Sequence, residues 1–324
     1  MGHGKEVKTR PDPEVDVQEK GEIFFFYRPK VGKDEAHSPD DVQRMYIVLR
    51  PESGGDRAVE EKQAPDSGKE GLKKQQNSGG EGGHGKEEVN IEEQPLLRLI
   101  VMGKKSLPDP AKRSRPYWGY VELVTTNIQD IKDDLKGEEY TTATRGTRHR
   151  SAARALGEGV YRILKHDSAR RRGHTHLIYK LELPSPARDD EAGEPQEAMK
   201  VEPEASYLIQ IKNPEQPRSG GGDEGRRFRG LQSKRRAAFP AHLQGRFGSN
   251  RYAPADPPDL LNYEGCEFLL IAASDDVEEE LGLQLQTETT EAEHGGAGAA
   301  GCSDLVKLFG EVVDVKPLLS GSWD

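Results

Sequence analysis

Eight apolar runs of strand length, arranged as two series of four, limit what this chain can fold into more than any other feature. Val, Ile, Leu and aromatic residues dominate each run, and Gly, Pro, Asp or Ser bound it, which is typical of β-strands. The runs cover 22–28, 43–51, 96–105, 117–126, 159–166, 175–184, 205–214 and 265–273. The sequence therefore predicts a mainly β protein.

A short helix is predicted after the fourth strand of each series. Asn127 is predicted to cap the first helix, which ends at Gly137, and Ser274 is predicted to cap the second, which ends at Gly282. The recurring order of strands and helix predicts an internal duplication, although β-rich chains also produce such patterns by chance. We expect an internally duplicated β-sandwich or barrel of about eight strands with two short helices, because the apolar faces must pack on each other. Two separate small α+β domains are the alternative.

Long polar stretches divide the chain of 324 residues, and they carry too few apolar side chains to offset the entropy of ordering them. The predicted organisation is a flexible tail (1–20), a first β-rich half (21–137) with a disordered insertion (52–93), a connector (138–158), a second half (159–282) with an insertion (214–262), a flexible linker (283–302) and a docking tail (303–324).

Charge, cysteine content and hydropathy narrow the function classes. The formal net charge of −10 disfavours indiscriminate binding to nucleic acid or to an anionic membrane. The two cysteines are too few for a disulfide framework. The N-terminus has no apolar signal region, and no run approaches the roughly 18 apolar residues of a membrane span. A soluble, cytoplasmic protein is expected.

Common catalytic and cofactor motifs find little support. GxGxxG occurs at 220–225 and at 296–301, but neither copy follows a predicted strand, as a dinucleotide site requires. Cys266 is predicted to be a buried, inert thiol. His174 and His176 lie two apart on a strand and face one side, as metal ligands do, but no third ligand follows at an obvious spacing. No cofactor and no metal are therefore predicted.

The connector carries the first candidate ligand site. Thr142, Thr144, Arg145 and Arg148 cluster there, and Arg forks with Thr hydroxyls suit an anion. Trp118 is the candidate aromatic wall of the same pocket, with its indole N–H as a donor. The alternative is structural: the arginines fasten the connector to carboxylates of both halves, and Trp118 belongs to the core.

An Arg-rich stretch with interspersed Phe, residues 226–251, carries the second candidate site. Arginine and aromatic side chains together can neutralise and stack on single-stranded RNA. The candidate residues for this binding are Arg226, Arg227, Arg229, Arg235 and Arg236. The alternative is that the stretch folds over the body of the protein as an ordered loop.

Four local patterns resemble an uncharacterised plant-type family of β-rich proteins. They are FFFYRPKV (24–31), AHSPDDVQR (36–44), LPSPARDDEAGEPQ (183–196) and KNP (212–214). The resemblance extends over most of 21–282 and implies a folded unit without a known activity. The BTB/POZ label sometimes given to such sequences implies a helix-rich domain, whereas only two short helices are predicted here.

Taken together, these patterns favour a non-catalytic binding or interaction module. The alternatives are an anion or small-molecule binding protein with a pocket near Arg145 and Trp118, possibly an enzyme, and a single-stranded RNA binder acting through 226–251. A protein partner or a small anion is favoured over nucleic acid, and no membrane partner is expected.

Overall fold

The fold was analysed in a computed structural model that describes residues 4–11, 14–52, 58–60, 88–90, 96–112, 115–144, 146–168, 171–184, 194–216, 236–287 and 303–323. Within these residues fifteen β-strands form. They are β1 (Lys5–Lys8), β2 (Glu14–Pro29), β3 (Val42–Pro51), β4 (Ala58–Glu60), β5 (Glu88–Asn90), β6 (Leu97–Met102), β7 (Tyr117–Thr125), β8 (Glu138–Thr142), β9 (Gly146–Arg150), β10 (Arg154–Ser168), β11 (Arg171–Leu183), β12 (Glu204–Lys212), β13 (Tyr252–Pro254), β14 (Glu267–Ser274) and β15 (Leu283–Gln286).

Eight of these strands form a closed antiparallel barrel. Its order is β10-β2-β3-β6-β7-β14-β12-β11, and pairing of β11 with β10 closes the ring. The short strand β13 pairs with one end of β12, and three two-stranded ribbons join β1 to β15, β4 to β5 and β8 to β9. The prediction of a mainly β fold of about eight strands is confirmed, and the barrel rather than the sandwich is the form adopted.

Six short α-helices are present in the described residues. They are α1 (Ile128–Leu135), α2 (Glu194–Met199), α3 (Ala241–Gln244), α4 (Val277–Leu281), α5 (Asp304–Phe309) and α6 (Lys316–Ser320). None of them is long and apolar enough to cross a membrane.

The barrel wall is apolar on both faces. In β2, Phe25 and Tyr27 belong to the interior cluster, whereas Phe24 and Phe26 belong to an outer cluster, and all four are fully buried. Successive strand residues point to opposite faces, so this aromatic run requires cover on both sides. Each buried aromatic side chain contributes roughly 1.5–3 kcal/mol through removal of apolar surface from water.

Two separate groups of elements supply the outer cover. Helix α1 and the C-terminal residues 303–323, hereafter the C-terminal segment, cover the face that carries Phe24 and Phe26. Helix α4 and strand β15 cover a different part of the wall, around Leu164 and Ile178. Each outer cover is therefore built from short elements that bury one apolar side against the sheet.

The strand registers relate the two halves by an approximate two-fold axis. Each half is a meander of four consecutive barrel strands, and the first strands of the two halves, β2 and β10, pair antiparallel. Gly21 and Gly159 stand at corresponding places, because a Cβ atom at either one would collide with the carbonyl oxygen of the next strand, that of Arg50 or Lys180. The residues that follow these two glycines, Glu22 and Val160, are register partners, as a two-fold axis requires.

The same two-fold relation holds where the last strands of the two halves, β7 and β14, lead into helices α1 and α4. The Asn127 side chain accepts from Gln129 N at 3.1 Å, and the Asp276 side chain accepts from Glu279 N at 2.7 Å. Hydroxyl groups two residues earlier, on Thr125 and Ser274, accept the N–H of these two capping residues, each at 3.0 Å. The predicted cap at Ser274 is thus corrected to Asp276, because Ser274 ends the strand and bonds to the capping residue.

The register of the last strands, β7 and β14, completes this symmetry. Gly119 and Phe268 stand at the same distance in sequence before the two hydroxyl residues of the caps, and they are register partners. The repeat predicted from element order is therefore also present in strand pairing and in helix capping.

Strands also form where polar composition predicted a tail and a linker. In residues 1–20, β1 pairs with β15, and Val15 at the start of β2 is buried. In 283–302, Leu283 and Leu285 of β15 are fully buried. These stretches alternate apolar and polar residues, and a strand needs only one apolar face to pack. The described parts of 1–20 and of 283–302 therefore contain strands, which composition alone did not predict.

Part of the predicted insertion 214–262 also packs as core. Leu243, Phe247 and Leu260 join the same cluster as the barrel interior. Residues 217–235 lie outside the described residues, as do 53–57, 61–87 and 91–93 of the insertion predicted at 52–93.

The C-terminal segment contains two short helices. Ser303 caps α5, with its hydroxyl accepting from Val306 N at 3.1 Å. The apolar residues Val312, Val313 and Val315 do not form a strand. Only one isolated parallel bridge, between Asp314 and Arg154, is made there, because the two short helices α5 and α6 flank this stretch.

Candidate metal centre

Three histidines converge on the outer face of the barrel at one end of the β10–β11 hairpin. His166 of β10 is the register partner of His174 of β11, and His176 lies two residues further along β11. Register partners in an antiparallel pair share a face, as do residues two apart in one strand. The hairpin therefore points all three imidazoles to the same side.

The imidazoles are close enough to share one ligand. Their ring centroids are 5.0 Å apart for His166–His174, 5.6 Å for His166–His176 and 5.4 Å for His174–His176. One ring nitrogen from each histidine lies within 4.8 Å of those of the other two. Nitrogens that bind a tetrahedral Zn²⁺ at its usual bond length lie roughly 3.3 Å apart. The nitrogens would have to approach one another by up to roughly 1.5 Å to reach that spacing.

His176 is the buried member of the trio. Its residue surface is 1 % exposed, whereas His166 and His174 are half-buried. Burial, together with the neighbouring His174 and His166, lowers the pKa of His176 to about 3. The imidazole is therefore neutral at physiological pH, which is the state that binds a metal ion.

A serine and a glutamate orient the His176 ring. Its Nδ1 lies 2.9 Å from the hydroxyl of Ser206 on β12, and Ser206 also hydrogen-bonds the carboxylate of Glu280 on helix α4. When Glu280 is ionised its carboxylate only accepts, and in that state the serine hydroxyl donates to Glu280 and accepts from His176 Nδ1–H. This direction leaves the lone pair on Nε2, and metal-ligating histidines commonly have such an outer partner.

The Nε2 atom of His176 is buried and has no hydrogen-bond partner among the described residues. A buried polar atom without a partner costs about 1–3 kcal/mol and is rare in native proteins. A metal ion held between His176, His166 and His174 would supply the missing interaction. The nearby carboxylate of Glu280 lies 3.9 Å from His176 Nδ1, and burial raises its pKa.

The ligand type decides which ions suit the centre. Neutral imidazole nitrogens favour Zn²⁺ and the neighbouring transition ions, whereas Mg²⁺ and Ca²⁺ prefer oxygen ligands. Three histidines leave the fourth tetrahedral position for water or for another ligand.

Sequence reasoning found two of these histidines and missed the third. His166 stands eight residues before His174, and its place opposite that residue depends on the pairing register of the hairpin. The available signal was the Arg-rich stretch at 170–172, which is typical of a hairpin turn and would bring the strand that precedes it beside the strand that follows it.

The residues predicted as an anion cradle lie elsewhere. Thr142, Thr144 and Arg148 belong to the β8–β9 hairpin and its turn, where side chains are exposed or half-buried. The Thr142 hydroxyl donates to the Gly146 carbonyl at 3.2 Å, which satisfies the turn itself. Arg145 lies outside the described residues.

Trp118, the predicted wall of that pocket, lies in β7. Its ring packs against Tyr252, with centroids 6.2 Å apart, and the Lys212 amine lies 5.4 Å from its centroid. The ring contacts of Trp118 are therefore with β13 and β12, and not with the β8–β9 hairpin that carries the predicted anion-binding residues.

Only one of the five arginines predicted to bind RNA is within the described residues. Arg236 is exposed and lines a shallow depression beside Lys212 and Glu267. The other four, Arg226, Arg227, Arg229 and Arg235, lie outside the described residues. The predicted inert thiol is confirmed, since Cys266 is 1 % exposed and burial raises its pKa.

Compared with models of protein families, with curated proteins and with solved structures, the chain matches none of them.

Proposed function

We propose that this protein is a non-catalytic binding protein whose specific site is the three-histidine centre, and that the centre takes one divalent transition ion of the zinc class. The single observation that carries the proposal is the buried Nε2 of His176, which has no hydrogen-bond partner among the described residues and lies beside two further imidazoles. The Ser206–Glu280 pair that orients the ring supports it.

The histidine centre is a better candidate than the predicted anion cradle. Its three imidazoles lie on the two strands of one barrel hairpin at a half-buried to buried place, and Ser206 of β12 and Glu280 of α4 complete the centre, so the fold itself assembles these groups. Thr142, Thr144 and Arg148 are carried on one exposed hairpin, where water competes for each hydrogen bond. A specific ligand is bound more strongly where the surrounding groups are already desolvated and ordered.

The proposal assigns binding rather than catalysis. Cys266, the described thiol, is buried and held protonated, which removes the nucleophilic thiolate from consideration. Three imidazoles at one place account for metal binding without any further group.

The direct test is isothermal titration of the full chain with Zn²⁺ after treatment with EDTA. We expect one ion per chain, and we expect Mg²⁺ to give no heat. His174→Ala removes a half-buried ligand while leaving the buried Ser206–His176 pair intact. It should weaken Zn²⁺ binding by more than the ~10–100-fold that loss of an outer-shell partner costs.

His37→Ala is the matched control. His37 has a side chain 64 % exposed and pairs with Glu35. This variant should bind Zn²⁺ as the unaltered chain does. Equal affinities of the His174→Ala and His37→Ala variants would refute the site, as would full Zn²⁺ binding in a variant lacking both His166 and His174.

A further inference from the structure

The C-terminal segment (303–323) covers the outer face of the barrel. Phe309 packs edge-on against Phe24 and Phe26, with ring centroids 5.7 and 5.5 Å apart. At the end of the segment, Trp323 instead joins the interior cluster, where its ring packs against that of Tyr27 with centroids 5.5 Å apart. The segment is therefore held mainly by apolar packing along its length.

Carboxyl groups gather where the segment begins. Glu158 of β10 accepts from the backbone N–H of Asp304 at 2.9 Å and from the Ser303 hydroxyl. Arg50 of β3 pairs through its Nε with Glu22 of β2, and its Nη2 lies 3.7 Å from the Asp304 carboxylate. Four strands and helices thus bring their charged groups to one interface.

Among the described residues, the charges at this interface do not balance. Glu22, Glu158 and Asp304 bring three carboxyl groups to the interface, and Arg50 is the cation between them. Lys307 pairs with Asp304 from the outer side at 3.0 Å, with its own side chain half-exposed. The side chains of Glu22 and Arg50 are only 12 % and 15 % exposed, so water screens the excess negative charge weakly.

We propose that docking of the C-terminal segment takes up a proton at the Glu22–Glu158–Asp304 cluster, so that the segment is held at mildly acidic pH and loosens as pH rises above neutrality. When Glu22 is protonated, Arg50 is free to pair with Asp304. Glu158 can then remain ionised, because the Ser303 hydroxyl and the N-terminal amides of α5 donate to it.

Titration of Glu22 agrees with this geometry. Burial raises the pKa of Glu22 to about 7, with Asp304 and Glu158 adding to the rise and Arg50 opposing it. Burial also raises the pKa of Glu158, against its bonds to Ser303 and the α5 amides. A carboxyl group whose pKa is raised in the docked state stabilises docking below that pKa, and the stabilisation is lost as pH rises through it.

Hydrogen exchange of the full chain, followed by mass spectrometry at pH 6 and pH 8, measures this coupling. After correction for the intrinsic exchange rate, the opening equilibrium of residues 305–313 should rise about tenfold between these pH values, which is the change that one group of pKa near 7 gives. Peptides from the barrel strands should not change. In Glu22→Gln the rise should vanish.

Two further variants make the outcome decisive. Glu52→Gln is the matched control, because Glu52 follows the end of the same strand pair and has its own partner, Lys20, at 2.9 Å. It should keep the tenfold rise. Asp304→Asn changes the C-terminal segment and leaves the barrel sequence intact. It should shift the pH at which residues 305–313 loosen to a lower value, since it removes one of the charges that repel Glu22.

An opening equilibrium in the unaltered chain that is the same at pH 6 and pH 8 would overturn the proposal. So would a full rise in Glu22→Gln. If Glu22→Gln does not fold, Asp304→Asn decides alone, and a transition at the same pH as in the unaltered chain counts against the cluster. None of these results depends on Zn²⁺, so they stand apart from the test of the histidine centre.

Discussion

Equivalent positions in the two halves of the barrel carry two different polar clusters: an arginine-centred cluster in the first half and a histidine cluster in the second. Gly21 and Gly159 are equivalent, and seven residues beyond them lie Arg28 and His166. The register partners of these residues are Arg44 and His174, and the residues two further along are Tyr46 and His176. The equivalent positions are Arg28, Arg44 and Tyr46 in the first half and His166, His174 and His176 in the second.

In the first half the buried cation is satisfied by the protein. Arg28 is fully buried and donates to the carbonyl oxygens of Ser151 at 2.7 Å and Lys136 at 3.1 Å, to that of Asp134 and to the Tyr46 hydroxyl. These bonds fasten the end of helix α1 to the barrel. In the second half, His176 uses one nitrogen for Ser206, and its other nitrogen has no partner among the described residues.

The comparison shows which of the two polar clusters can be explained by the stability of the fold alone. One half shows that this place on the wall can be closed by a single arginine whose three guanidinium nitrogens all donate to the protein. The other half keeps three imidazoles there and leaves a buried nitrogen unbonded. A structural explanation suffices for Arg28, whereas the histidine trio needs a ligand to complete its bonding.

The largest expected effect is on Arg28. Arg28→Met keeps the apolar stem but leaves buried carbonyl oxygens without donors, so we expect a loss of about 3 kcal/mol in the free energy of unfolding. Chemical denaturation measures it. Arg28→Lys should recover only part, because an ammonium cannot span three separate carbonyls. A change below ~1 kcal/mol would contradict the structural role given to Arg28.

The second prediction tests whether Gly21 and Gly159 are structurally equivalent, as the two-fold relation requires. Gly21→Ala and Gly159→Ala each push a methyl group against the neighbouring strand, so each should destabilise the protein by about 2 kcal/mol, and by similar amounts. Gly245→Ala is the control, since it has helical φ and open space around it. A large loss at one glycine and none at the other would show that their positions are not equivalent.

A smaller effect is expected at the outer partner of His176. Ser206→Ala removes the acceptor for Nδ1–H and should weaken Zn²⁺ binding ~10–100-fold, while the fold keeps its stability to within about 1 kcal/mol. Titration calorimetry and denaturation of the same samples separate the two quantities. Unchanged Zn²⁺ affinity would mean that Ser206 does not orient the ring.

The smallest effect concerns pH in the metal-free protein. The pKa of His176 is lowered to about 3 in the fold, so the unfolded chain takes up a proton near pH 6.5 before the native state does. The contribution of His176 to the free energy of unfolding is therefore fully present above pH 6.5 and falls as pH decreases towards 3. The stability advantage of the natural chain over His176→Asn should shrink by about 1 kcal/mol between pH 7 and pH 5.5.

Denaturation in EDTA at these two pH values provides the measurement. An advantage that stays constant would mean that His176 titrates alike in the folded and unfolded chains. The same experiment with His37→Ala should show no such trend, because His37 is exposed.

Much of the architecture was predictable, because strands and caps are local. The aromatic run at Phe24–Phe26 indicated a wall covered on both faces, and both faces are buried. Ser303 signalled α5 through its hydroxyl, and the Leu residues of 283–286 would have signalled β15 had alternation been weighed above polarity. Overall composition gave no sign of the strands in 1–20 and 283–302, because a strand depends on the alternation of apolar and polar residues rather than on how many of each there are.

The candidate site was predictable only in part. His174 and His176 share a face by their spacing alone, which any strand guarantees. His166 joins them through the register of the hairpin, and Ser206 and Glu280 join through barrel closure and the docking of α4. Such pairings bring together residues far apart in sequence, and no local pattern encodes them.

The sequence by itself determined the strands, the repeat of four strands and a capped helix, and the inert thiol at Cys266, since each depends on a short window of residues. Tertiary structure decided the closed barrel, the assembly of three histidines and the imbalance of carboxylates beneath the C-terminal segment. The physical reason is that burial and charge pairing depend on which distant strands meet. Desolvation then gives residues of ordinary appearance, such as His176 and Glu22, properties that they lack in the unfolded chain.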